Sequence, residues 1–251
     1  PLDTPSTISA VNTNKTISVA GGVLEGVAGF GESDVLQFKA TITDTSGNAT
    51  TGTVSDTTLT VDQTAATIST SSIASDNETV TLAKTGDTVT LTIATNENVS
   101  SPTVTFTSGG AAATNADTVS GASPGTSFTS AYTVDASDTD GTVAISITAT
   151  DVAGNTTSGF TTISAGSVTV DQTAPASQKT QGVVTTGGDN QVAGYWNSGN
   201  TGVDITVPIA DDSSINGGTV QLLVSTDGGG SFVPLDTPST ISAVNTNKTI
   251  S

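Results

Sequence analysis

Apolar residues alternate with threonine along much of this chain, and a period of two is typical of a half-buried β-strand. No stretch has convincing helical spacing. The predicted strands are separated by clusters of Gly, Asn, Asp and Ser at spacings of about 8–12 residues, as in β-sandwiches. The alternation is found in five segments: 33–43, 87–95, 141–150, 203–209 and 219–225.

Two segments of the chain are identical. Residues 1–18 read PLDTPSTISAVNTNKTIS, and residues 234–251 repeat them letter for letter. Identity over 18 residues indicates duplication, since self-similarity at a fixed spacing is typical of repeat architectures. We therefore expect the chain to be slightly more than one period of a longer array.

A weaker repeat lies inside this period. Residues 41–52 resemble 148–159, and residues 59–66 resemble 168–175. The corresponding residues are separated by roughly one immunoglobulin-sized domain, ~100 residues. The sequence thus predicts two diverged β-sandwiches per period.

The two VDQTA motifs set the predicted domain boundaries. Residues 65–172 form one complete domain, residues 1–62 are the C-terminal half of a second type, and residues 175–251 are its N-terminal part. The two partial domains flank the complete one, so we do not expect them to meet within one chain. Either the chain is a segment of a continuous polymer, which we favour, or separate chains complete each other head to tail.

The amino-acid composition argues against several classes of function. The chain has 23 Asp and Glu against 5 Lys, a net charge of −18, and no Arg, His or Cys. The commonest general base, cysteine nucleophiles and the usual zinc ligands are missing, so we do not expect an enzyme. The small number of basic residues argues against nucleic-acid binding. The lack of long apolar runs argues against membrane insertion. The acidic excess suits Ca²⁺.

Five segments carry a family resemblance: 43–48, 86–106, 150–155, 169–175 and 193–209. They resemble the bacterial Ig-like domains in the stalks of giant surface adhesins. The resemblance covers the complete domain best, and the partial domains resemble a related variety. It implies tandem Ig-like Greek-key sandwiches in an extracellular array, with calcium stiffening the domain junctions. One departure is Gln63 and Gln172, where many relatives have threonine.

Calcium ligands are expected where a linker reaches one pole of a sandwich. Linker residue Asp62 should approach the D-x-x-G-N turn at 151–155, with Asn96 and Glu97 nearby. Asp171 should approach a second acidic pair, which Asp44 would join only from the next copy of the repeat. Asp44 and Asp151 also have a simpler interpretation as turn residues. The predicted ligands are Asp44, Asp62, Glu97, Asp151, Asn155, Asp171, Asp211 and Asp212.

Tyr195 and the single tryptophan, Trp196, lie in an Asn- and Gly-rich stretch. Paired aromatic rings there suit either stacking on glycans or packing at a domain end. The sequence as a whole predicts a structural extender of an extracellular surface protein or fibre, whose partners are adjacent identical repeats or neighbouring subunits. A subunit of a self-assembling filament or surface layer and a carbohydrate-binding adhesin module are the alternatives.

Overall fold

The structure is a computed structural model that describes residues 6–10, 14–115, 119–188 and 190–250. The chain divides into two compact units, residues 1–172 and residues 173–251. The regular secondary structure of both units is almost entirely β-strand. The all-β fold class predicted from the sequence is therefore confirmed.

The described residues of the first unit form a short helix, α1 (Gly21–Glu25), and thirteen strands. In chain order the strands are β1 (Val35–Leu36), β2 (Thr41–Thr43), β3 (Ala49–Thr51), β4 (Leu59–Thr60), β5 (Ile68–Ser75), β6 (Leu82–Ala83), β7 (Thr88–Val99), β8 (Thr103–Ser108), β9 (Ala111–Ala112), β10 (Gly125–Thr133), β11 (Gly141–Thr150), β12 (Thr156–Phe160) and β13 (Thr169–Val170).

Strands β5 to β13 form a sandwich of two sheets. One sheet has the order β10-β7-β5, and the other has the order β6-β13-β11-β8-β9, with β12 also paired to β11. Every pair is antiparallel except β6 with β13. The tandem Greek-key arrangement of such sandwiches stays a prediction.

The core of the sandwich comes from the alternating residues. Val89, Leu91 and Ile93 of β7 are fully buried, and the two threonines between them are exposed. Side chains from both sheets join one hydrophobic cluster. The rings of Phe106 and Tyr132 meet across it, with centroids 5.1 Å apart and planes tilted by 44°. The period-two pattern thus placed these strands correctly.

Residues 6–62, which precede the sandwich, bury far fewer side chains than the sandwich does. Strands β1 and β4 pair through Val35 and Thr60, and β2 and β3 form a hairpin. Among its described residues, Val61 is the single one that is buried. The continuous strand expected over 33–43 is wrong, because the chain leaves the extended pairing between β1 and β2.

Within the part of the second unit that the structure describes there are seven strands and a 3₁₀ helix, Ser213–Ile215. The strands are β14 (Gln181–Thr186), β15 (Gly202–Ile209), β16 (Thr219–Val220), β17 (Leu223–Val224), β18 (Val233–Pro234), β19 (Ser239–Thr240) and β20 (Thr246–Ile250).

Strand β15 is the central strand of a three-stranded sheet in the second unit, with β14 on one side and β20 on the other. Two more antiparallel pairs are β16 with β19 and β17 with β18. The core is small, with partly buried side chains around four buried ones: Val207, Ile209, Leu222 and Ile241. The strand predicted over 203–209 is confirmed, whereas the one over 219–225 is split into β16 and β17.

Candidate functional site

The D-x-x-G-N turn at 151–155 connects β11 to β12. Asp151 Oδ1 accepts hydrogen bonds from the backbone N–H groups of Gly154 at 2.7 Å and Asn155 at 2.9 Å. The Asn155 amide donates to Asp151 Oδ2 at 3.0 Å. Gly154 has a φ of +104°, a conformation that suits glycine. Hydrogen bonds within the turn therefore hold the Asp151 side chain in place.

The turn at 44–48 is built in the same way between β2 and β3. Asp44 Oδ1 accepts from the backbone N–H groups of Ser46 at 2.9 Å and Asn48 at 2.8 Å, and the Asn48 amide donates to Asp44 Oδ2 at 2.8 Å. These side chains are exposed, whereas Asp151 is only 3% exposed. The same motif thus occupies two different environments in the first unit.

The linker reaches the buried turn through Asp62. The Asn155 amide nitrogen lies 3.1 Å from Asp62 Oδ1 and 3.2 Å from the Asp62 carbonyl oxygen, in addition to its bond to Asp151. One side-chain amide therefore joins the linker to the end of the sandwich. The proximity of Asp62, Asp151 and Asn155 expected from the sequence is present.

Glu97, near the end of β7, completes a cluster of three carboxylates. One carboxylate oxygen from each of Asp62, Glu97 and Asp151 lies within 4.8 Å of the other two. Val99 of β7 also forms an antiparallel bridge with Asp151, which holds the strand end beside the turn. Neighbouring Asn96 instead accepts a hydrogen bond from the backbone N–H of Thr67 at 2.6 Å.

The spacing and chemistry of this cluster fit a calcium ion. Calcium prefers six to eight oxygen ligands at about 2.3–2.6 Å, so two ligands of one ion are separated by at most about 5 Å. The three carboxylates meet this limit, and all their donor atoms are oxygen. Asp62, Glu97 and Asp151 would hold the ion, and Asn155 lies beside them.

The carboxyl of Asp151 is poised to stay ionised. Burial raises its pKa, but hydrogen bonds from the Asn155 side chain and from the backbone of Asn155, Gly154 and Ala153 outweigh burial and leave the pKa below its ordinary value. A charged carboxylate at this position is the form that a cation needs.

Glu32 is a linker contact that the sequence patterns did not reveal. Its Oε2 accepts hydrogen bonds from the backbone N–H of Gln63 at 2.9 Å and from the Thr64 hydroxyl at 3.2 Å. It sits there because Ser33 and Val61 pair through their backbones. No short motif connects positions 32 and 63, so local sequence patterns could not predict this contact.

Gln172, which follows the last strand of the sandwich, also connects separate chain segments through hydrogen bonds. Its side-chain amide donates to the Asp138 carbonyl at 2.7 Å, its backbone N–H donates to Asp140 Oδ1 at 2.8 Å, and the Thr85 hydroxyl donates to its Oε1. The sequence had singled out Gln172 only as a departure from threonine. In the structure it connects three segments of the first unit.

The second predicted ligand group is divided between the units. Asp171 belongs to the first unit and donates its backbone N–H to the Ala83 carbonyl at 2.9 Å. Asp211 and Asp212 belong to the second unit, where Asp212 caps the 3₁₀ helix by accepting from the backbone N–H of Ser214 at 2.9 Å. Hydrogen bonds from the Ser214 hydroxyl and N–H lower the pKa of Asp212. Asp44 lies in its own exposed turn.

Tyr195 and Trp196 are 71% and 62% exposed in the second unit. The backbone N–H of Tyr195 donates to the Val192 carbonyl at 3.1 Å, which closes a turn. Neither ring contributes to the core of this unit.

Comparisons of the chain with protein-family models, with curated proteins and with solved structures found no match. Within the described ranges, no helix has both the length and the hydropathy that crossing a membrane requires.

Proposed function

We propose that this chain is a structural extender of an extracellular bacterial surface protein or fibre, stiffened by calcium at the junction around Asp62. The observation that carries the proposal is the direct bond between linker and sandwich, through Asn155, beside three clustered carboxylates. A mechanical unit has to transmit force through such a junction. The identical segments 1–18 and 234–251 support an array of copies.

In this function the bound ion would neutralise the mutual repulsion of Asp62, Glu97 and Asp151. The side chains of the chain itself do the remaining work: Asn155 orients Asp62 and Asp151, and Glu32 holds the linker backbone on the other side at Gln63. Neighbouring copies would add their stabilities approximately, as in other repeat proteins. The site has a mechanical role and needs no reacting groups.

Calcium titration of the full chain tests the junction. Saturation at 100 times the dissociation constant stabilises a protein by about 2.7 kcal/mol, so we expect the melting temperature to rise by several degrees and to fall again with EGTA. The Asp62→Asn and Glu97→Gln variants should lose this response. Asp44→Asn is the matched control, because its turn is the same but exposed, and it should keep the response.

A melting temperature and X-ray scattering dimensions that do not change with calcium or EGTA would refute the calcium part of the proposal. The extender part has a separate test, the mass and shape of the native object by electron microscopy. A covalent array has a mass far above 24.6 kDa. Native particles assembled from chains of about this mass would instead favour the filament or surface-layer subunit.

The exposure of Tyr195 and Trp196 favours a second candidate, a carbohydrate-binding adhesin module. Aromatic faces that are open to solvent suit stacking on sugar rings. A glycan array compares the native chain with Trp196→Ala. Binding that disappears in a folded variant would support this candidate, and no binding by the native chain would exclude it for the glycans on the array.

A further inference from the structure

Two segments that are far apart in the sequence of the complete sandwich lie side by side in its structure. Strand β5 is the first strand of the sandwich, and residues 162–165 come shortly before its last strand, β13. An isolated bridge pairs Ser72 with Ala165 in parallel orientation. The two segments therefore run in the same direction.

Ser71 and Ser164 hold these segments together, although 93 positions separate them. The backbone N–H of each serine donates to the hydroxyl of the other, at 3.3 Å from Ser71 and 3.1 Å from Ser164. The Ser71 hydroxyl donates to the Thr162 carbonyl at 2.7 Å. Backbone bonds add to these, since Ser164 and Ala165 donate to the Ser71 carbonyl at 2.8 and 3.1 Å, and Ile73 donates to the Ala165 carbonyl at 3.0 Å. We call residues 71–73 and 162–165, with the bonds between them, the clasp.

The clasp is shielded from water and requires a glycine beside it. Ser71 is only 1% exposed, so its hydrogen bonds lie in the low dielectric of the interior, where they are stronger than in water. Gly166 has a φ of +79°, and a Cβ atom at this position would lie 2.1 Å from the Ile73 carbonyl oxygen. A residue without a side chain lets the backbone pass this close to β5.

Tension along the chain pulls the two halves of the clasp in opposite directions. The chain enters the sandwich at the start of β5 and leaves it after β13. Pulling on the chain therefore draws β5 towards its N-terminal end and residues 162–165 towards their C-terminal end. Because the two segments are parallel, they have to slide past each other, and this sliding strains all the bonds of the clasp at the same time.

We propose that the clasp bears tension in the sandwich and sets the force at which the sandwich unfolds. Its bonds have to break together, so all of them contribute to the barrier that governs forced unfolding. The parallel pairing of β13 with β6, in which Thr169 donates to the Thr81 carbonyl at 2.9 Å, is loaded in the same direction. The inference rests on the proposed function, because an extender has to resist tension.

Constant-force tweezers applied to the full chain test the clasp. The native chain has no cysteine, so two introduced cysteines define where the handles attach, and residues 63, 161 and 174 are all exposed. Gln63→Cys with Ala174→Cys places the handles on the two sides of the sandwich and shears the clasp. Gln63→Cys with Thr161→Cys places both handles at the same end of the two parallel segments, so the sandwich opens without shearing them.

At one fixed force, the sandwich should survive roughly tenfold longer in the shearing arrangement than in the other one. Equal lifetimes in the two arrangements would refute the proposal, because the clasp would then add nothing to the resistance along the chain.

Two serine variants identify the bonds that bear the load. Ser71→Ala removes a hydroxyl of the clasp and should shorten the lifetime roughly tenfold in the shearing arrangement, but much less in the other. Ser130→Ala is the matched control, since Ser130 is 2% exposed and its hydroxyl has no hydrogen-bond partner among the described residues. It should change both lifetimes by less than about twofold. Equal shortening by Ser71→Ala in both arrangements would refute the proposal, because it would indicate a general loss of stability.

The measurements are made on separate chains in EGTA, so neither calcium nor assembly affects them. Failure of the clasp is seen in the lifetimes under force, whereas failure of the proposed function is seen in the calcium titration and in the mass of the native object. If Ser71→Ala does not fold, the comparison of the two handle arrangements in the otherwise native chain still decides whether the clasp bears tension.

Discussion

The Asn155 amide lies 3.1 Å from Asp62 Oδ1 and 3.0 Å from Asp151 Oδ2, so that it joins two carboxylates that are far apart in sequence. The matching turn at Asp44 differs: Asp44 is exposed, and the Asn48 amide donates to Asp44 in the same turn rather than to two separate segments. A local motif has acquired a long-range contact at one of its two positions.

The first prediction compares the two asparagines. Asn155→Ala should lower the free energy of unfolding of the first unit by about 1–2 kcal/mol, because it removes the hydrogen bonds of one amide to two segments. Asn48→Ala removes a bond within an exposed turn and should cost well under ~1 kcal/mol. Urea unfolding followed by circular dichroism measures both, and equal losses would contradict the role given to Asn155.

The second prediction concerns the two linker glutamines. Gln172→Ala removes the side-chain bonds to the Asp138 carbonyl and to Thr85, and we expect a loss of about 1 kcal/mol. At Gln63 the backbone N–H makes the bond to Glu32, so Gln63→Ala should keep that bond and be nearly neutral. Thermal melting of the two variants side by side checks this difference.

The third prediction tests where the stability of the first unit resides. Leu91 is fully buried in the sandwich, so Leu91→Ala should cost about 2–5 kcal/mol. Leu59 of β4 is 58% exposed, and Leu59→Ala should cost less than ~1 kcal/mol. Chemical unfolding of the full chain reports both values. A large loss at Leu59 would show that residues 6–62 have a core of their own.

The fourth prediction is a pH dependence in the second unit. Bonds from the Ser225 hydroxyl, from the N–H and hydroxyl of Ser231 and from the Gly230 N–H hold the pKa of Asp227 far below its ordinary value of 3.8. The unfolded chain therefore binds a proton at higher pH than the folded one. The stability contributed by Asp227 is complete above the ordinary pKa and is lost as the pH falls through the lower, folded pKa.

Asp227→Asn should accordingly flatten the acid dependence of unfolding below about pH 4. Ser231→Ala, which removes one donor, should give an intermediate slope. Trp196 is the only tryptophan and lies in the second unit, so its fluorescence during urea unfolding provides the measurement. Identical slopes for the native chain and for Asp227→Asn would contradict the prediction.

Much of the fold could be predicted from alternation alone, where the alternation was long and regular. At Val89, Leu91 and Ile93 the pattern placed a strand and its buried face correctly, because a period of two puts every second side chain on one face. The pattern failed over 33–43 and 219–225, where short pairs replace continuous strands. The lengths of those strands are set by the segments with which they pair, and the sequence of one segment does not reveal those partners.

The candidate site, too, could be predicted from the sequence only in part. The D-x-x-G-N motif and its linker partner Asp62 were accessible from sequence, because turn chemistry is local and the linker follows from the repeat. Glu32 was not accessible, since its position beside Gln63 depends on backbone pairing between Ser33 and Val61. Glu32 carries no short-range signal.

The sequence by itself determined the all-β class, the acidic chemistry and the duplicated segment, because composition, period and identity are properties of the chain. Only the tertiary structure decided which copies of a motif are buried. Asp151 is enclosed, whereas Asp44 is exposed, although both begin the same D-x-x-G-N motif. Burial depends on which distant segments pack against a residue, and that packing is set by the whole fold.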